Sequence, residues 1–212
     1  MVLCFVNDRD FHRQGNSGYA HRANNTVRVL EALIDSIYYL PGRNGTFSEG
    51  LGTFLQDQCD QLAGREVSGD LKGFIFEDQL EAIRQDLLDS HWHEDGQIVA
   101  NSYGAYLLLQ TLVDMESYPG NIFLLSPILG AVQTQKFFFR PPRAKRLLQS
   151  FAERSFPKPR SSSCIVGQFD WQSVPERCID FCDVVSAQLN IVPEGNHVID
   201  PELVQEFWQS AL

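Results

Sequence analysis

The chain has 212 residues, a formal charge of −10, and 43% hydrophobic, 21% charged and 11% aromatic residues. That composition suits a single globular domain with a sizeable core and excludes a collagen-like, repetitive or wholly disordered chain. The acidic balance argues against nucleic acid as a partner, because phosphate binding needs a basic surface.

No apolar run approaches the ~20 residues of a membrane-spanning helix, so no transmembrane segment is expected. The opening residues 1–6 are apolar but too short for a secretory signal and lack its basic start. The five cysteines are odd in number, irregularly spaced and without a Cys-x-x-Cys pair. They read as free thiols in a reducing compartment, and a cytoplasmic location is expected. The charge is uneven. Residues 131–160 hold eight basic residues against Glu153 alone, and five of the fifteen phenylalanines.

In chain order, residues 2–6 and 26–30 read as strands separated by a turn cluster at 14–18, too close together to hold a helix, so that pair is expected to be antiparallel. A strand at 34–40 stops at Pro41-Gly42. Leu51, Phe54, Leu55, Cys59 and Leu62 then recur at helical spacing, ending at Gly64. A weak strand at 66–71 and a helix at 76–90 follow. After them come a strand at 97–100, a helix at 104–115 and a strand at 121–125. The basic segment, with a helix at about 143–154, precedes a strand at 164–167, a helix at 175–186, a strand at 189–192 and a closing helix at 201–212. Alternation at these spacings predicts an α/β fold: a mostly parallel sheet with helices on both faces and its first strands antiparallel. The whole chain, 1–212, is expected to form one domain, with the basic segment at about 130–160 as a short lid-like insertion.

The stretch Ala100-Asn101-Ser102-Tyr103-Gly104 lies where a buried strand passes at once into a helix. A serine on so sharp a turn needs small residues two before and two after it, and Ala100 and Gly104 supply them. The turn aims the Ser102 hydroxyl at the positive end of the helix, which favours a developing oxyanion.

From about residue 35 onward the chain resembles the α/β-hydrolase superfamily, in particular a small serine esterase-like member with a minimal cap. The resemblance implies a triad in the order serine, acid, histidine. Only His197 among the five histidines follows Ser102, just past the last strand. Asp170 follows the strand at 164–167 in Gly167-Gln168-Phe169-Asp170, with Asp180 and Asp183 as rivals inside the next helix. By the same resemblance the oxyanion would be held by the backbone N–H of Tyr103 and of a residue after the strand at 34–40. Arg43 is the first choice there and Asn44 the second, with Pro41 standing where the family usually has histidine. The resemblance implies no cofactor, and a small acyl substrate such as a carboxylic ester or thioester.

Asn44, Arg143 and Arg146 are the expected substrate contacts, and the basic segment suggests an anionic acyl group; the plainer alternative is a solvated helix whose arginines offset the acidic body. His91 and His93 form a His-x-His without a third ligand, so no metal site is expected. Cys178 and Cys182 share a helix face and read as core thiols. A partner-binding scaffold without turnover, and a peptidase or amidase using the same triad, are the alternative functions.

Overall fold

The computed structural model describes residues 34–133 and 138–211. The strands expected at 2–6 and 26–30, with their antiparallel pairing, lie outside the described residues. Six strands form one sheet: β1 (Ile34–Leu40), β2 (Cys59–Gly64), β3 (Gln97–Asn101), β4 (Asn121–Leu125), β7 (Ser161–Gly167) and β8 (Gln188–Val192). Their order is β2-β1-β3-β4-β7-β8 and every pairing is parallel. Between β4 and β7 the strands β5 (Val132–Gln133) and β6 (Phe138–Phe139) make a small antiparallel hairpin that the sequence did not announce.

Parallel neighbours need crossover connections, and helices supply them. They are α1 (Leu51–Gln56), α2 (Phe76–Asp86), α3 (Ser102–Leu112), α4 (Ala144–Ala152) and α5 (Pro175–Val185), with α6 (Pro201–Ala211) closing the chain. The two-residue period of the strands divides the core between the two faces. Tyr38, Leu40, Ile98, Ala100, Ile122, Leu124, Cys164 and Val166 face α2, α3, α4 and α5. Ile37, Tyr39, Val99, Phe123, Leu125 and Ile165 face α1 and α6, where Leu55, Val204, Phe207 and Trp208 cover them. Every residue of α3 after Ser102 is buried, so the helix beginning at that serine is the central helix of its layer. The four described cysteines are free and buried, Cys178 and Cys182 among them.

Two expectations between residues 51 and 71 are corrected. The helix ends at Gln56, and Cys59–Gly64 is an edge strand instead. Cys59 pairs with Ile34 and Gly64 with Tyr39, so satisfying the outer edge of β1 prevails over the helical spacing of Cys59 and Leu62. Gly64 has φ +132°, and a methyl group there would lie 2.8 Å from the Tyr39 carbonyl carbon. Residues 66–71 form turns held by Gly69 and Leu71 N–H groups donating to the Glu66 carbonyl, at 3.1 and 3.2 Å. The Arg65 guanidinium then grips Asp86 at 2.6 and 2.8 Å, while the Tyr38 hydroxyl donates to the same carboxylate at 2.8 Å, tying β1 and the end of β2 to α2.

The basic segment is knitted to the acidic body. Helix α4 buries Ala144, Leu147, Ser150 and Phe151. Around it Arg143 pairs with Glu77, Arg146 with Asp114 and Arg154 with Asp183, three carboxylates that all lie outside the segment. No helix among the described residues is long and apolar enough to cross a membrane.

Strand order reverses beside β1: the chain leaves β1 toward one edge of the sheet and leaves β3 toward the other. Such a switch opens a crevice at the carboxyl ends of those two strands, which is where parallel α/β sheets characteristically bind ligands.

Candidate active site

Ser102 stands at that crevice. Asn101 is still extended (φ −118°, ψ 136°), and Ser102 turns into the left-handed region at φ +53° before α3 proceeds. A non-glycine residue there is strained by about 1–3 kcal/mol and persists because its surroundings enforce it. Gly104 is one such constraint, since a methyl on it would lie 2.7 Å from the Leu40 carbonyl carbon. Gly42 is another: a methyl on it would touch Ser102 Cβ at 3.2 Å. The loop after β1 therefore lies directly against the serine, and the first-turn N–H groups of α3, which have no partner within the helix, open beside it.

Three side chains far apart in sequence meet here. Ser102 Oγ is 2.8 Å from His197 Nε2, and His197 Nδ1 is 2.9 and 3.0 Å from the two Asp170 oxygens. The imidazole is 18% exposed and the Asp170 carboxylate fully covered. Burial would raise the Asp170 pKa, but the His197 hydrogen bond, the Ser173 and Gln172 backbone N–H groups and the imidazole's charge outweigh it and hold the carboxyl below its ordinary value. Those N–H groups donate to Oδ1 at 3.0 and 2.9 Å. An ionised carboxylate only accepts hydrogen bonds, so Nδ1 carries the ring hydrogen toward Asp170 and the Nε2 lone pair faces the serine hydroxyl.

The acid and the imidazole sit on two loops stitched together by main-chain bonds. Gln168 N–H donates to the Val192 carbonyl at 2.9 Å and Phe169 N–H to the Gly195 carbonyl at 2.7 Å. Gly167 makes the approach possible, for a methyl on it would lie 2.6 Å from the Gly195 carbonyl oxygen. The sequence displays Gly167 as a letter before Asp170, but no local signal reveals that the histidine loop lies against it. The same holds for Ser173, whose hydroxyl lies 3.5 Å from His197 Nδ1. The rivals Asp180 and Asp183 are exposed on α5, Asp183 paired with Arg154.

The other expected site residues divide. Tyr103 follows the serine, its ring stacked on Tyr106 with centroids 5.7 Å apart. Arg43 and Asn44 are exposed on the loop after β1. The Arg43 guanidinium lies 4.4 Å from the Tyr103 ring centroid and 5.0 Å from that of Phe139, so the β5–β6 hairpin reaches the neighbourhood of the serine.

Arg143 and Arg146, expected as substrate contacts, are not brought to the triad. The Arg143 guanidinium pairs with Glu77 at 3.2 Å, and its carbonyl accepts from Gln110, roughly 12 Å along α3 from Ser102 at 1.5 Å per residue. Arg146 grips Asp114, past the far end of the same helix. His91 is buried beside Tyr38 with its Nδ1 unpartnered, and no cluster able to hold a metal ion occurs among the described residues.

No family model matches the chain, and no curated protein matches it. Solved structures do. The ydeN gene product of B. subtilis superposes with a TM-score of 0.59 at 17% identity, covering 84% of this chain and 98% of the other. A Paleococcus ferrophilus monoacylglycerol lipase gives 0.59 at 12% identity over 82% of this chain and 91% of its own. Est1E of Butyrivibrio proteoclasticus, solved with ferulic acid bound, gives 0.57 at 13% identity over 84% and 90%. With the parallel sheet and its switch point, these likenesses establish that the chain has the α/β-hydrolase fold.

Proposed function

We propose that the protein is a serine hydrolase that cleaves a carboxylic ester or thioester through an acyl-enzyme. The observation that carries this reading is the unbroken relay from Ser102 Oγ through His197 to Asp170, each link 2.8–3.0 Å long. His197 Nε2 takes the Ser102 proton as Oγ attacks the acyl carbonyl, and Asp170 stabilises the imidazolium that forms. The Tyr103 and Arg43 N–H groups hold the tetrahedral oxyanion, with Asn44 the second choice for the latter. His197 returns the proton to the departing oxygen or sulfur as its bond to the acyl carbon breaks. Water, deprotonated by His197, then clears the acyl group and regenerates the serine.

No step calls for a metal or cofactor. An anionic substrate is not part of the proposal, since Arg143 and Arg146 are committed to carboxylates remote from the serine. The free, buried thiols accord with a reducing, cytoplasmic compartment.

Labelling with a fluorophosphonate probe tests the reading. Wild-type protein is expected to label and Ser102→Ala not to. Folded wild-type protein that stays unlabelled would favour the partner-binding scaffold.

A further inference from the structure

A cavity of about 250 Å³ opens on the α1/α6 face of the sheet, and His197 forms part of its wall. Its other walls are mainly apolar: Leu51 and Phe54 from α1, Leu125 from β4, Ile199, and Val204 from α6. Ser126 lines it too. That residue follows β4 at φ +41°, is 1% exposed, and its Oγ has no hydrogen-bond partner among the described residues. Buried hydroxyls are ordinarily satisfied, so this orphan is an exception in a wall that is mainly apolar, with His197 and Asn101 its other polar side chains.

The chemistry of the triad decides which half of an ester belongs there. The carbonyl oxygen must face the N–H groups beside Ser102, at the start of α3 and in the loop after β1. The departing oxygen must face His197, which protonates it. The cavity is lined by His197 and by neither Tyr103 nor Arg43. We infer that it receives the alcohol half of the ester, the leaving group, and sets the size that the enzyme accepts there; this rests on the serine-hydrolase reading above. An apolar cavity of about 150 Å³ holds one benzene ring. At about 250 Å³ this one encloses a substituted ring or a chain of roughly six to eight carbons, so a twelve-carbon chain would leave its end outside.

Two variants change the cavity in opposite senses at half-buried positions: Leu51→Trp fills it and Phe54→Ala enlarges it. Their kcat/KM is measured on two series. One holds the acyl group as acetate and lengthens the alcohol from methyl through hexyl and phenyl to dodecyl; the other holds methanol and lengthens the acyl chain to octanoate. In the wild type, hexyl and phenyl acetates are expected to be the best of the alcohol series. Leu51→Trp should lower the hexyl-to-methyl acetate ratio by roughly tenfold, and Phe54→Ala should raise the dodecyl-to-hexyl ratio by a similar factor. The acyl series should keep its wild-type order in both. If the variants move the acyl series instead, or move neither, the assignment of the cavity is overturned. Fluorophosphonate labelling in parallel separates the two ideas, because protein that labels but shows no shift overturns the cavity alone, whereas wild type that does not label overturns both. Should Leu51→Trp not fold, Phe54→Ala carries the test by itself.

Discussion

Gly167, the last residue of β7, lies so close to Gly195 that a methyl group on it would sit 2.6 Å from the Gly195 carbonyl oxygen, two residues before His197. Gly167→Ala must therefore push the histidine loop away or bend the end of β7. Overpacking of this kind costs about 1–3 kcal/mol. We expect a lower melting temperature together with a fall in kcat/KM of at least tenfold, because an ångström of misplacement at a proton-transfer site is expensive. The rate of fluorophosphonate labelling, measured well below the melting temperature, checks that the loss reflects misalignment and not unfolded protein.

Ser102 illustrates the opposite trade. At φ +53° it occupies a region that glycine tolerates and other residues resist. Ser102→Gly and Ser102→Ala both remove the hydroxyl and abolish labelling, but only glycine relaxes the backbone. Strain relief is partly offset by the greater freedom of glycine in the unfolded chain. The glycine variant is expected to be more stable than the alanine variant by about 1 kcal/mol in urea unfolding. Equal stabilities would mean that the strain is no larger than the entropic cost of glycine, about 0.4–1 kcal/mol.

The site was more legible than the edges of the fold, and the reason is physical. A strand passing into a helix through Ala100-Asn101-Ser102-Tyr103-Gly104 is a local event, spelled by the small residues that the reversal requires. His197 could be found because it is the one histidine downstream of the serine, and Asp170 because a strand ends just before it. Strand β2 could not. It lies at the sheet edge with only Cys59 buried, so it lacks the alternation that marks a strand, while Cys59 and Leu62 mimic the next turns of α1. The partners of Arg143 and Arg146 lie 66 and 32 residues away, a separation that no periodicity encodes. The same applies to the contact between Gly167 and the histidine loop.

Reversing the charge of the basic helix separates its structural part from a part in binding. Arg146 and Asp114 are each about two-fifths exposed and Arg143 is over a third exposed, so their ion pairs are screened by solvent. Each contributes no more than about 0–1 kcal/mol. Arg143→Glu with Arg146→Glu is expected to lower stability by roughly 1–2 kcal/mol, through lost attraction and new repulsion against Glu77 and Asp114. KM for a neutral and for an anionic ester should both stay within about twofold of wild type, with unchanged dependence on salt, since neither residue approaches the triad. A selective rise in KM for the anionic ester would return these arginines to the binding site.

Stability should fall on both sides of neutrality, for different groups. His91 is 5% exposed, and its pKa is held below the ordinary histidine value by burial first and by His93 second, against a weaker opposing pull from Asp86. Its folded pKa lies below its unfolded one, so the unfolded chain binds the proton more readily. The contribution of His91 is complete above about pH 6.5 and is lost as pH falls through the folded value. Asp170 acts in the same sense at lower pH: its carboxyl is held below the ordinary value, and its contribution is lost as pH falls below about 4. On the alkaline side, burial raises the hydroxyl pKa of Tyr38, Tyr39, Tyr106 and Tyr118. Each is more readily deprotonated in the unfolded chain, so the tyrosines' contribution is complete below about pH 10 and is lost above it. Urea midpoints measured from pH 3 to 11 are expected to form a plateau from about 6.5 to 8.5 with a decline on either side, the alkaline one beginning with the Cys59 and Cys164 thiols, whose pKa values are also raised in the fold, and steepening above about pH 10 with the tyrosines. His91→Leu should flatten the first acid step, the one that begins below about pH 6.5, and leave the alkaline limb in place, whereas an acid limb that keeps its shape in this variant would remove His91 from the account.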